Sequence, residues 1–306
     1  MHTKNNKLIS VIVPTYNYSG TLERAVNSVT NQNGDDFEVV IIDDGSTDHT
    51  KAVALNLVRD SDGSVRYIYK TNGGTASARN LGLMESMGKY IVFLDADDAL
   101  DPDAIGVLRS ILRWSRVDLI LGSYLVISED GTTRRRFSRK IHNDGKDNFR
   151  AYLRNKIHIC NGSYCVSRNL ADRIRFNENI RQSEDIPFFA LMIASAGSVG
   201  TENVLAHIYR HDDSKRYREV SPEENPMEIV HEIFDSPMLP PELRCMKGEF
   251  IAHLYLSLFR RHYSAGNYKN AVDCYHSAVR NYFMSLLKFK YTGKYLSALA
   301  NRNRKS

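Results

Sequence analysis

The sequence predicts an α/β protein: a mainly parallel sheet flanked by helices, followed by a helical C-terminal region. Two observations predict it. Four short apolar runs, at residues 9–13, 37–42, 65–69 and 90–94, read as buried strands, because a strand covered on both faces shows no polar alternation. Between them lie segments 20–31, 47–59 and 75–87, each with Gly, Ser, Thr or Asp where a helix starts. Such strand-helix alternation builds a parallel sheet with helices on both faces, and ligands then sit beyond the carboxyl ends of the strands.

A chain of 306 residues, 42% hydrophobic, suffices for one large domain with an appendage or for two ordinary domains. Disordered and fibrous classes are excluded. Cys160, Cys165, Cys245 and Cys274 have neither metal-ligand spacing nor the density of a disulfide scaffold, so reduced thiols and a cytoplasmic setting are expected. Residues 1–7 are polar, and the apolar run that follows, about six residues, is too short for a signal-peptide core or a spanning helix. The net charge of +5 is modest, and no nucleic-acid partner is expected. Arg134, Arg135, Arg136, Arg139 and Lys140 nevertheless cluster, either toward an anionic partner or as a solvated loop.

Each of the four strands ends in a polar cluster: Pro14-Thr15-Tyr16-Asn17, Asp43-Asp44-Gly45-Ser46, Asn72-Gly73-Gly74 and Asp95-Ala96-Asp97-Asp98. These ends share one rim of the predicted sheet. Two acidic clusters on one edge repel, and a divalent metal or hydrogen-bond donors must compensate. Asp95 and Asp97, one residue apart, can hold Mg²⁺ or Mn²⁺ and leave positions open for diphosphate oxygens. The alternative is that these carboxylates cap a helix beginning near Asp101. No Gly-x-Gly-x-x-Gly follows the first strand and no Gly-x-x-x-x-Gly-Lys-Ser/Thr loop occurs, which argues against dehydrogenase and P-loop functions.

Further along, residues 101–114 read as a helix, 117–127 as an apolar run and 128–146 as a hairpin or exposed loop. Ser183-Glu184-Asp185 opens a helix running to 194, and 204–209 reads as a strand. From residue 226 the pattern is helical, at 242–263 and 270–287, with Gly266-Asn267 as a stop. A domain boundary is placed at 220–226. The expected division is 1–222, with a nucleotide half over 1–100 and an acceptor half over 101–222, and then 223–306.

Ser10-Val11-Ile12-Val13-Pro14-Thr15-Tyr16-Asn17, Asp43-Asp44-Gly45-Ser46-Thr47-Asp48, Ala78-Arg79-Asn80-Leu81-Gly82 and Leu94-Asp95-Ala96-Asp97-Asp98 resemble, in order and spacing, the family 2 glycosyltransferases of GT-A fold. The resemblance covers about residues 8–215. It implies an inverting, metal-dependent transfer of a hexose or N-acetylhexosamine from a UDP-sugar to a saccharide or lipid-linked saccharide, in cell-surface polysaccharide synthesis. By resemblance, Asp97 is the direct metal ligand and Asp95 reaches the ribose or the metal. Pro14, Thr15 and Tyr16 would face the nucleobase and Asp44 would accept from its imide, with Asp43 structural. Arg79 either reaches the nucleotide and its phosphates or is a surface arginine.

An ionised aspartate suffices as the base for inversion. Asp185 takes that role by resemblance, with Glu184 assisting; the alternative is a charge pair at a helix N-terminus. Tyr209, Arg210, His211 and Ser214 form a polar stretch similar to, though one residue shorter than, a Tyr-Arg-x-x-x-x-Ser pattern that folds over the diphosphate in related transferases, while His207 reads as a core or surface histidine outside the metal set. A non-catalytic scaffold that kept the fold is the competing class, and intact Asp95, Asp97 and Asp185 argue against it. The tail, Tyr282-Phe283-Met284-Ser285-Leu286-Leu287-Lys288-Phe289-Lys290-Tyr291, then Lys294-Tyr295-Leu296 and the basic residues Arg302 to Lys305, suits either an anionic membrane surface at the inner face of the cytoplasmic membrane or a bundle and homo-oligomer contact.

Overall fold

In the computed structural model, which describes residues 7–137, 141–180, 183–210 and 226–302, strands β1 (Ile9–Thr15), β2 (Phe37–Asp43) and β3 (Val65–Tyr69) pair in parallel in the order β3-β2-β1. β4 (Tyr90–Phe93) pairs in parallel on the other side of β1. Every position of β1 and β2 is buried, which explains their unbroken apolar reading. Ile9, Val11 and Val13 share a core cluster with Leu22, Ala25, Val26 and Val29 of α1 (Leu22–Thr30), Ala54 of α2 (Thr50–Asp60) and Ile105 and Leu108 of α4 (Ala104–Trp114).

The opposite face meets α3 (Thr75–Glu85). A Cβ added at Gly82 would collide with Ile12 Cγ2 and lie 3.3 Å from Ile42 Cγ1. Strand alternation thus sends Ile12 and Ile42 to one face and Val11 and Val13 to the other.

Beyond β4 the sheet continues β4-β8-β6-β9-β5, with β7 on β6. Its elements are β5 (Ala99–Leu100), β6 (Leu119–Ile127), β7 (Thr133–Arg136), β8 (Tyr164–Ser167) and β9 (Ser198–Tyr209). β8 runs antiparallel to β4 and β6, β7 to β6, and β5 to β9, while β6 and β9 are parallel. The expected parallel sheet is therefore parallel over its first four strands and mixed beyond them. One cause is local: β6 and β7 are joined by a short turn in which Ser128 N donates to Thr132 O at 3.0 Å and Gly131 has φ 79°, with no room for a crossover helix.

Two departures from the predicted elements have plain causes. Residues 99–100 pair with Ala206 and His207 as β5, which delays the helix expected from 101 until Ala104. The stretch 128–146 is a hairpin up to Arg136, and its end already belongs to α5 (Gly145–Leu153). α6 (Arg168–Ile174) and α7 (Asp185–Ser195) follow β8.

The chain divides into two compact units, 1–214 and 215–306. The boundary expected at 220–226 falls on residues 220–225, which are outside the described residues. The second unit contains α8 (Pro226–Phe234), a 3₁₀ turn Pro241–Met246, α9 (Lys247–Ser264), α10 (Tyr268–Asn281), a 3₁₀ turn Phe283–Leu287 and α11 (Phe289–Asn301). The helix expected over 242–263 splits because Pro241 begins its own short turn. The helix expected over 270–287 ends at Asn281, and 283–287 turn more tightly. Ala252, Leu256, Phe259, Ala271, Tyr275 and Ala278 form the core of this unit. All four cysteines are free thiols. Among the described residues, no helix is long and apolar enough to cross a membrane.

Gly82→Ala is expected to lower unfolding stability by about 1–2 kcal/mol, because overpacking against Ile12 outweighs the gain in helix propensity. Urea denaturation checks this, and an unchanged midpoint would show that α3 can move away from β1.

Candidate active site

The parallel registers bring four strand ends to one rim. Thr15 lies opposite Asp43 and Asp43 opposite Tyr69, while Leu94 N donates to Ile12 O at 2.9 Å. At the end of β1, Pro14 and Thr15 are buried, and Tyr16 presents its ring at 45% exposure. Asn17, at φ 59°, accepts from Thr47 N at 2.8 Å and donates its own N–H to Ser46 Oγ at 2.9 Å, stitching the first rim loop to the second.

Asp43 and Asp44 are both buried and have different partners. Asp43 accepts from Ser46 N at 2.8 Å and from the Tyr67 hydroxyl at 2.7 Å, so it organises the turn beneath the rim. Asp44 Oδ1 accepts from Lys70 Nζ at 2.6 Å and Gly73 N at 2.9 Å, and its Oδ2 from Gly74 N at 2.7 Å. With about four acceptor positions on a carboxylate, this leaves room for one more donor, on Oδ2. Gly45, at φ 80°, permits the approach: a Cβ there would lie 2.8 Å from Asn72 N.

The loop after β4 is the most negative part of the rim. Asp95 Oδ1 accepts from Arg79 Nη2 at 3.0 Å, and both its oxygens accept from Asn161 Nδ2, at 3.0 and 3.1 Å. Asp98 accepts from Tyr209 N at 2.9 Å, and burial, followed by the charges of Asp95 and Asp97, pushes its carboxyl up to about 8. Tyr18, hydrogen-bonded to Asp97, is pushed up to about 12 by burial and the same carboxylates. Arg24 donates to the Asp97 carbonyl, and its guanidinium lies 3.7 Å from the centroid of the Tyr209 ring.

Arg79 is 4% exposed. Its Nη1 donates to Glu184 Oε1 at 2.9 Å while Nη2 holds Asp95, so one guanidinium ties α3, the β4 loop and the start of α7 together. These partners engage Arg79 with carboxylates of the site rather than with solvent. Asp185, the first residue of α7, is partly buried, and its carboxyl is pushed up to about 6 by burial and then by Glu184, with Arg79 opposing. Glu184 is committed to Arg79, whereas Asp185 beside it makes no ion pair among the described residues.

His207 Nε2 lies 3.1 Å from Asp101 Oδ2, outside the acidic loop. Arg210 is exposed, its backbone N–H held by Ile127 O at 2.8 Å. His211 lies outside the described residues, as do Arg139 and Lys140. Arg134 and Arg135 lie on β7 with exposed side chains, and Arg136 is partly buried.

Residues 10–175, more than half of the chain, match the family described as Glycosyl transferase family 2. The chain belongs to that family. It is 34% identical over 197 residues to an uncharacterized glycosyltransferase of Rickettsia conorii, covering 64% of this chain and 32% of that one. It is 32% identical over 181 residues to the GalNAc(5)-diNAcBac-PP-undecaprenol beta-1,3-glucosyltransferase of Campylobacter jejuni, covering 58% of this chain and 57% of that one. The chain thus spans less than two thirds of the length of these relatives. In fold it matches S. aureus TarS 1–349 in complex with UDP-GlcNAc, with TM-score 0.69 at 20% identity over 95% of this chain and 89% of that one. The α/β sheet, its flanking helices and the helical C-terminal region are accordingly those of the GT-A glycosyltransferases.

In this family 2 chain the rim also draws on residues that the local sequence pattern does not single out: Tyr18, Arg24, Lys70 and Asn161. Asn161 reaches Asp95 because β8 runs antiparallel to β4, so the turn that begins β8 arrives at the rim where β4 ends; Gly162 N donates to Phe93 O at 2.6 Å. The turn-like Cys160-Asn161-Gly162-Ser163 ahead of the apolar Tyr164-Cys165-Val166 is the sequence signal for it.

Among the described residues, no group of three or more His, Cys, Asp or Glu is gathered to enclose a metal. What the rim offers is the pair Asp95 and Asp97 in a surplus of negative charge. That donor set fits a Mg²⁺ or Mn²⁺ ion completed by phosphate oxygens and water rather than a closed protein cage.

Replacing Arg79 by Met leaves Asp95 and Glu184 facing each other unneutralised. A loss of about 3 kcal/mol is expected, near the low end for a broken buried pair because Asp95 is 37% exposed. Chemical denaturation of the variant measures it, and a loss under about 1 kcal/mol would show that the bridge holds little together.

Proposed function

We propose that the chain moves a hexose or N-acetylhexosamine from a UDP-sugar to a hydroxyl of a saccharide or lipid-linked saccharide acceptor, with inversion, in cell-surface polysaccharide synthesis. One observation carries the reading: the Asp95-Ala96-Asp97 loop and the Glu184-Asp185 start of α7 come to one rim, where the guanidinium of Arg79 bridges Asp95 and Glu184. The UDP-GlcNAc complex of TarS and the undecaprenol-linked substrate in the name of the Campylobacter jejuni relative support the donor and acceptor classes.

In this reading, Tyr16 covers the base with its exposed ring, and the open position on Asp44 Oδ2 accepts from the base imide. Asp97 is the direct ligand of a divalent cation, and Asp95, fixed by Arg79 and Asn161, faces it or the ribose. When bound, that cation supplies positive charge to the departing diphosphate. Arg79 acts by holding Asp95 and Glu184 in place. Asp185 takes the proton from the acceptor hydroxyl as the new bond forms at the anomeric carbon, and one carboxylate suffices for a single displacement with inversion. Arg210, exposed at the end of β9, lies where a segment folding over the diphosphate would begin. A lipid-linked acceptor also places the enzyme at the inner face of a membrane.

Calorimetric titration with UDP, with Mn²⁺ or Mg²⁺ and then with chelator, tests the donor site. Binding that needs the metal is expected, and Asp97→Asn is expected to remove that need together with most of the affinity. Asp185→Asn should bind UDP nearly as the parent does while transfer falls by about a thousandfold; normal transfer by this variant would remove Asp185 from the base role. Binding of UDP in neither condition would favour the non-catalytic alternative.

The raised carboxyl of Asp185 also sets a pH dependence. The base acts deprotonated, so kcat/KM should fall by about tenfold per pH unit below about 6 and level off above it. A profile with its acid limb near the ordinary aspartate value would contradict the assignment.

A further inference from the structure

The 3₁₀ turn Phe283–Leu287 is built inside out. Three residues per turn place Ser285 inward, where it is fully buried and its hydroxyl has no hydrogen-bond partner. Phe283, Met284, Leu286 and Leu287 are left outward, at 69, 49, 36 and 57% exposure. α11 continues the inversion. Its inner face is held by Tyr295 stacked on Tyr275 at 4.3 Å, by Thr292 hydrogen-bonded to Tyr275 at 2.9 Å and by Tyr291 packed on the core of this unit. Phe289 and Leu296, seven positions apart and so on one helix face, point away at 82 and 61% exposure.

Six large apolar side chains over fourteen positions thus face outward from a well-packed helical unit, and scattered surface exposure does not produce such a run. Along the chain the charge beside them has one sign. After Asp273 the sequence contains no acidic residue, but it contains Arg280, Lys288, Lys290, Lys294, Arg302, Arg304 and Lys305. Arg280 and Lys290 are exposed; Lys288 is partly buried, with Glu249 nearby, and Lys294 lies over the Tyr263 ring.

We propose that the turn Phe283–Leu287 and the outer face of α11 form a docking surface for an anionic lipid bilayer, the apolar side chains entering the interface and the basic ones meeting lipid phosphates. This deepens the proposed function and rests on its lipid-linked acceptor. A second copy of the chain is the other apolar partner to weigh. A two-fold contact through this patch would bring Arg280, Lys290 and their neighbours against their own copies, with no acid after Asp273 to neutralise them. Anionic headgroups satisfy the apolar and the basic groups together.

The test is co-sedimentation of the full chain with vesicles of phosphatidylglycerol and phosphatidylethanolamine, and with vesicles of phosphatidylcholine alone. Binding to the first and weak binding to the second is expected, weakening as salt is raised. The triple variant Phe283→Ser, Leu287→Ser, Phe289→Ser should lose about tenfold or more in partitioning, and Arg280→Glu with Lys290→Glu should lose binding while the apolar side chains remain. Because all five positions are exposed, thermal melting should be unchanged. Equal binding by either variant, or no binding by the parent, overturns the proposal. So does a dimer by light scattering that the triple variant dissociates without any vesicle binding. UDP titration of the same samples separates the two readings: intact UDP binding without vesicle binding removes only the docking surface, and vesicle binding without UDP binding removes only the donor site.

Discussion

A guanidinium taken out of water is unfavourable unless its charge is met on more than one side, and Arg79 is met by Asp95 and Glu184 together. That requirement constrains everything around it. Glu184 must be delivered by the start of α7, Asp95 by the end of β4, and Arg79 by an α3 close enough to the sheet to need glycine at position 82. Neighbouring Asn80 extends the same constraint: its side chain accepts from Phe176 N and donates to Phe176 O, both at 2.9 Å, fixing the chain after α6. The two consecutive residues Arg79 and Asn80 thereby tie α3, beside the parallel part of the sheet, to α7 and to the chain after α6.

The acidic residues of the rim are handled in two distinct ways. Asp43 and Asp44 are buried and supplied with donors from Ser46, Tyr67, Lys70, Gly73 and Gly74, so their charge is met within the fold. The Asp95 to Asp98 loop crowds three carboxylates together, and burial followed by their mutual charge holds Asp98 and the neighbouring Tyr18 well above their ordinary values. The first cluster holds the shape of the rim, and the second concentrates its negative charge.

Much of this was legible in the sequence because the relevant signals are local. Four strands, the helices between them and the polar strand ends follow from runs of a few residues, and the rim follows from parallel topology alone. The mixed half was legible only in part: the runs that become β6 and the end of β9 and the hairpin between β6 and β7 were, but β5 with two residues and β8 with four were not, because pairing across long separations leaves no local period. For the same reason the sequence exposes Arg79 as a candidate but not its bridge, and passes over Asn161 entirely: both depend on segments that meet only in the folded sheet. The tail showed its mixed composition in sequence, but which apolar residues are inside and which outside required the helix faces.

The two arms of the Arg79 bridge also close loops of very different length. The link to Asp95 spans 16 residues and the link to Glu184 spans 105. Closing the longer loop costs more chain entropy than closing the shorter one. The Glu184 arm, joining α3 to the start of α7, is therefore the one that depends most on the rest of the unit to hold its ends together.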